Sequence, residues 1–186
     1  MPPLIWIFHL FFWLPFVGRG IRERREGKHG EATVAVHPRS TALLAAHTAA
    51  MVLVYVGIAA GASLDHGFGA REVAGAVVIQ AGMLLAQWTL RTFRSWRVPA
   101  EIGVSHQLQT NGPFAWLRHP IYMAMNLLCL GSFIWRPHPL ILAGFALGWI
   151  VGELRARAEE GLLTAHFGDA YRTYMARTRR FIPGVY

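Results

Sequence analysis

The chain has 186 residues, 54% hydrophobic and only 15% charged, with 18 Lys and Arg against 10 Asp and Glu. A soluble domain carries about 25% charged residues; here the apolar residues also come in blocks, which calls for lipid as solvent. The formal charge of +8 lies between those blocks, a placement that suits anionic headgroups rather than nucleic acid, and the lone Cys129 excludes an intrachain disulfide or a cysteine-based metal cluster.

Five apolar blocks run from Leu4 to Val17, Thr41 to Ala62, Val73 to Leu90, Ile121 to Trp135 and Leu140 to Gly152. A crossing helix needs about 20 residues. The second and third blocks meet that length; the others borrow flanking residues or meet a thinned bilayer. The first is the weakest span, because it holds His9 and Pro15. No basic residue precedes its apolar run, and no small-residue cleavage site follows, so it reads as a retained helix rather than a leader.

Basic residues number six in Arg19–Ser40, four in Arg91–His119 and six after Gly152; the other two connections hold only Arg71 and Arg136. By the positive-inside rule the N-terminus is expected outside and the C-terminus in the cytoplasm. The expected architecture is an all-α polytopic bundle of about five transmembrane helices, one membrane domain over residues 1–186, with a cytoplasmic C-terminal helical segment. Arg136-Pro137-His138-Pro139 makes an antiparallel hairpin of the fourth and fifth helices. Gly57, Gly61, Gly75, Gly82, Gly144 and Gly148 suit close helix packing.

Two polar stretches fall on the predicted cytoplasmic side, Gln107–Tyr122 and Glu153–Tyr186. In the first, Thr110-Asn111-Gly112-Pro113 is turn chemistry. Pro120 suits the first position of the fourth helix, where a missing N–H costs nothing. Arg118 and His119 then stand at a helix N-terminus suited to an anionic group. In the second, the fifth helix continues out of the membrane with Leu154, Ala158 and Leu162 on one face. Arg155 and Glu159, four apart, can touch; as an exposed pair they would contribute under ~1 kcal/mol. Gly168 stops this helix, and Asp169 is expected to cap another that carries Tyr171, Tyr174 and Met175. Tyr122, Tyr171 and Tyr174 also suit an interfacial aromatic belt.

Gly112-Pro113-Phe114 followed by Arg118-His119-Pro120-Ile121-Tyr122 resembles the isoprenylcysteine carboxyl methyltransferase and phospholipid methyltransferase superfamily. Arg155, Glu159-Glu160, Leu163, Phe167-Gly168, Tyr171, Tyr174 and Phe181-Ile182-Pro183 match its C-terminal pattern in order and spacing. The resemblance covers about Leu108 to Tyr186. It departs at Ala124, where the family often has Gly, and it says little of residues 1–100, which read as three helices with loops.

The resemblance implies an intramembrane methyltransferase that uses S-adenosylmethionine, with residues 101–186 as the cofactor-binding catalytic half. It implies cofactor binding by Gly112, Arg118, His119, Pro120, Tyr122 and Tyr171, and catalysis by Arg155 and Glu159, with no metal. The polar cofactor would enter from the cytoplasm and a lipophilic acceptor from the bilayer. Arg155 could orient an acceptor carboxylate, or Glu159 could hold or deprotonate an amine; a prenylated cysteine carboxylate, a lipid amine, another lipid carboxylate and a thiol all stay open. NADPH-dependent membrane sterol reductases carry a similar Arg-His-Pro-any-Tyr stretch, but usually with Asn before the Tyr, where this chain has Ile121. A non-catalytic membrane scaffold is the third reading, with Gln80 and Gln87 as interhelical glue.

Overall fold

In the computed structural model, residues 3–25, 33–64, 67, 69–93, 101–103 and 107–186 are described. Six helices follow in order: α1 Pro3–Arg25, α2 Ser40–Ala60, α3 Ala70–Thr92, α4 Pro120–Trp135, α5 Pro139–Phe167 and α6 Asp169–Arg177. Single 3₁₀ turns occupy Gly61–Leu64 and Gly112–Ala115. Helices α1, α2, α3 and α5 are long and apolar enough to cross a membrane, and α4 is apolar but shorter. This is an integral membrane helix bundle, as expected.

The first apolar block is more regular than its sequence suggested. Helix α1 runs for 23 residues through Pro15. His9 is buried rather than exposed to lipid. Its Nε2 lies 2.8 Å from Ser132 Oγ on α4, and its Nδ1 lies 3.4 Å from the Tyr55 hydroxyl on α2. A polar side chain inside a membrane is tolerable when another helix supplies its partner.

Small residues set two close helix pairs. A Cβ added at Gly75 of α3 would stand 2.7 Å from the Gly131 carbonyl of α4. One at Gly144 of α5 would stand 2.7 Å from the Ala50 carbonyl of α2. Backbones approach this closely only where no side chain intervenes. The pairs α3–α4 and α2–α5 are joined through the α4–α5 hairpin. Arg136, expected in an outer connection, is instead buried at the C-cap of α4 and donates to the Ile58 carbonyl near the end of α2.

A two-stranded antiparallel ribbon was not foreseen. Strand β1, Thr33–Val36, pairs with β2, Glu101–Gly103, in the register Ala35↔Ile102 and Val36↔Glu101. The Thr-Val-Ala-Val run suits a strand, but its partner lies in another loop and is invisible to local pattern. The pairing puts the loops before α2 and before α4 at one end of the bundle.

Helix lengths place the site at that end. At 1.5 Å per residue, α5 with 29 residues extends about 44 Å, against roughly 30 Å of hydrocarbon core. Helix α4 has 16 residues and extends only about 24 Å. One helix therefore projects out of the membrane while its neighbour starts at or below the surface.

Candidate active site between the start of α4 and the projecting end of α5

The two polar stretches meet through backbone pairing. The Arg118 amide donates to the Arg179 carbonyl (2.7 Å), the His119 amide to the Arg180 carbonyl (3.2 Å), and the Arg179 amide to the Trp116 carbonyl (3.1 Å). This short parallel ladder ties the segment entering α4 to the segment leaving α6. Phe181, fully buried, then packs with Tyr122 and Ala156. Tyr174 of α6 donates its hydroxyl to the Phe114 carbonyl at 2.8 Å. The apposition follows from turn chemistry on both sides: Gly112 at φ +63° bends the chain ahead of α4, and Gly168 at φ +55° separates α5 from α6. Such backbone angles favour glycine. Gly168 itself is the N-cap of α6, and Asp169 lies in the first turn paired with Arg172, which corrects the expected cap by one position.

Pro120 begins α4, with His119 as its N-cap. Because Pro120 has no N–H, the first-turn donors without an intrahelical acceptor are the amides of Ile121 and Tyr122. Arg118 does not project toward them. Its Nε donates to Glu160 Oε1 at 2.7 Å, and its guanidinium also reaches the carbonyls of Thr178 (2.6 Å) and Met175 (3.3 Å). Arg118 thus clamps α5 to the end of α6.

Glu160 is the hub of this clamp. It accepts from Arg118, from Arg180 Nε and Nη2 at 3.1 and 2.6 Å, and from His119 Nε2 at 3.3 Å. The two guanidinium groups meet the carboxylate in charge-assisted bonds, the strong class. Sequence reasoning singled out Glu159 and passed over Glu160. The overlooked signal is the basic density around it, Arg118 before α4 and Arg179-Arg180 after α6.

Glu159 stands on the other side of His119. It accepts the Tyr122 hydroxyl, and His119 Nδ1 lies 3.4 Å from its second oxygen. Both imidazole nitrogens therefore face carboxylates, and only the imidazolium can donate to both. Burial opposes that charge, but the hydrogen bonds and fields of Glu159 and Glu160 outweigh it and raise the His119 pKa above the ordinary 6.5. The His119 and Tyr122 rings stack at 5.7 Å between centroids, 17° apart.

Arg155 is not the exposed partner of a surface ion pair. It is 6% exposed, and its Cζ lies 5.1 Å from the centroid of the Tyr122 ring. On projecting α5, Leu154 is 48% exposed, while Gly152, Arg155, Ala156, Ala158 and Glu160 turn inward. A helix that borders lipid can show it leucine and keep polar groups for the interior. The site is thus Arg155, Tyr122, Glu159 and His119 in succession, with Glu160, Arg118 and Arg180 behind them. Tyr171 is buried beside Tyr174, their rings 5.8 Å apart. Gly112 stands apart from this group, against Thr92 at the end of α3. Among the described residues no cluster of His, Cys, Asp or Glu could hold a metal ion.

The sequence matches the phospholipid methyltransferase family over residues 70–170. The chain belongs to that family. Protein-S-isoprenylcysteine O-methyltransferase of Tribolium castaneum is 32% identical over 89 residues, 47% of this chain and 32% of that protein. The Xenopus laevis protein of the same name is 30% identical over 118 residues, 61% of this chain and 41% of that one. The solved structure of a eukaryotic intramembrane Ras methyltransferase, isoprenylcysteine carboxyl methyltransferase, superposes with a TM-score of 0.55 at 24% identity, covering 82% of this chain and 55% of that one. The chain thus spans about a third to two-fifths of the curated relatives it matches, and the structural likeness is one of fold.

Proposed function

We propose that this protein transfers a methyl group from S-adenosylmethionine to a lipophilic acceptor of the isoprenylcysteine type, at its carboxylate. The observation that carries this reading is a buried arginine, Arg155, seated over Tyr122 beside Glu159, at the membrane face of a bundle from a methyltransferase family.

The donor set fits the cofactor. A sulfonium cation suits a carboxylate and aromatic faces, and Glu159, Tyr122, Phe181 and Trp149 supply them. An amino-acid carboxylate suits the free amides of Ile121 and Tyr122 at the start of α4. His119, Tyr122 and Tyr171 would line the cofactor site; Arg118 and Pro120 would fix the entry to α4, and Gly112 the loop before it. The cofactor, when bound, would supply an activated methyl group for the acceptor oxygen.

The protein's own contribution is alignment and exclusion of water. Arg155 holds the acceptor carboxylate through its guanidinium. Glu159 has its oxygens engaged by Tyr122 and His119, which fits it to shape the cofactor side rather than to take a proton. A carboxylate acceptor has no proton to lose. The relatives' names, which specify isoprenylcysteine O-methylation, support the same acceptor class. Residues 101–186 form the catalytic half, roofed by α6 and the segment after it on the cytoplasmic side.

The test is to incubate membranes containing the protein with methyl-labelled S-adenosylmethionine and N-acetyl-S-farnesylcysteine. Base-labile label on the farnesylcysteine is expected. Label confined to phospholipid headgroups would replace this acceptor with a lipid amine.

A further inference from the structure

His47 lies about two turns into α2, in the half of the chain that contributes no residue to the site above. It is 5% exposed, and neither ring nitrogen has a hydrogen-bond partner among the described residues. Buried polar atoms are almost always paired, and one left unpaired costs stability. An imidazole with both nitrogens unmet is therefore a group kept for something other than packing. Where it stands is informative. Its ring lies 5.9 Å from that of Tyr122, tilted by 34°. Tyr122 is also the ring over which Arg155 sits, and its hydroxyl meets Glu159.

Space beside His47 is not demanded by helix packing. At Gly144 a methyl group would clash with α2, but one turn on the constraint relaxes. A Cβ at Gly148 would meet Ala50 at 3.8 Å, and one at Gly152 would meet Tyr122 at 3.9 Å, both ordinary contacts. A methyl group is sterically admissible at both positions, yet α5 presents only hydrogen atoms there.

We infer that His47 belongs to the acceptor site, where an imidazole N–H donates to the acceptor carboxylate across from Arg155. The carboxylate reading selects this chemistry: the acceptor's oxygens take an N–H from an imidazole whose nitrogens are unmet among the described residues. Methylation of a carboxylate releases no proton, so His47 acts by positioning rather than as a base. The inference rests on the carboxylate reading proposed above.

The experiment uses the full chain reconstituted in phosphatidylcholine vesicles, with N-acetyl-S-farnesylcysteine as acceptor. His47→Ala is expected to raise the acceptor KM at least ~10-fold, while the Kd for S-adenosylhomocysteine stays within about twofold. His47→Gln, which restores an N–H donor, is expected to recover most of that loss. His47→Phe keeps a ring against Tyr122 without either nitrogen, and is expected to behave as His47→Ala even if the alanine variant melts too low to assay. An acceptor KM within about twofold of wild type in His47→Phe overturns the inference and leaves the methyltransferase reading standing. Wild-type protein that binds S-adenosylhomocysteine but leaves the farnesylcysteine unmethylated overturns the carboxylate reading, and this inference with it.

Discussion

Arg118 Nε and Glu160 Oε1 are 2.7 Å apart, although 42 positions separate them in the chain. Both side chains are nearly sealed from solvent, at 12% and 9% exposure, and Arg180 joins them at 14%. Removing the carboxylate leaves Arg118 with the Met175 and Thr178 carbonyls, while Arg180 keeps Glu153 and His119 keeps Glu159. Loss of one partner from a buried ion network costs about 3–5 kcal/mol. Glu160→Ala should therefore lower the melting temperature sharply, and limited proteolysis should begin at the arginines after α6. A variant that melts like wild type would mean that the network contributes no net stability.

His119 gives a signed pH dependence. Its folded pKa lies above the ordinary 6.5, held there against burial by Glu159 and Glu160. A group whose pKa is raised on folding contributes stability that is complete below the unfolded value and is lost as pH rises through the folded value. The melting-temperature gap between wild type and His119→Asn should be widest below the ordinary 6.5 and should narrow as pH rises above it. A gap that widens with pH would place a neutral imidazole there.

Arg155 and Glu159 separate a structural from a catalytic role. Arg155→Ala or Glu159→Gln should lower methyl transfer by ~10²-fold or more, with S-adenosylhomocysteine affinity little changed for the arginine variant. Arg155→Lys is the finer probe, because lysine keeps the charge and loses the planar fork. A near-normal rate in Arg155→Lys would argue against bidentate carboxylate orientation. Full activity in both Arg155→Ala and Glu159→Gln would remove the pair from the site.

Orientation in the membrane rests on the distribution of basic residues and can be tested directly. Cys129 is buried, so the native chain offers little background to thiol reagents. A cysteine engineered at His138 and one at Arg172 should label from opposite sides of sealed vesicles, with Arg172 on the cytoplasmic side. Labelling of both from one side would overturn the layout.

Much of the fold could be read locally because bilayer thickness and turn chemistry act locally. Apolar blocks announced the helices, Gly112 and Gly168 announced the bends, and Pro120 marked the start of α4. What could not be read depends on residues far apart. The pairing of Ala35 with Ile102 needs two loops to meet. Glu160 looked interchangeable with Glu159, because only the apposed chain segments decide which of two adjacent carboxylates collects the arginines. His47 sat in a long apolar block with no local sign that its nitrogens would go unmet.

The ladder between the approach to α4 and the segment after α6 also sets an order of events during synthesis. Arg118 emerges 60 residues ahead of Thr178, whose carbonyl it binds, and Arg179 and Arg180 come later still. At about 5–20 residues per second, the entrance to α4 waits roughly 3 to 12 seconds for the strand that completes it. Helices α4 and α5 are themselves made within that interval, so both exist before the segment that ties their polar ends together. A ribosome stalled within α6 would therefore leave the helices without the ladder that joins the two polar stretches.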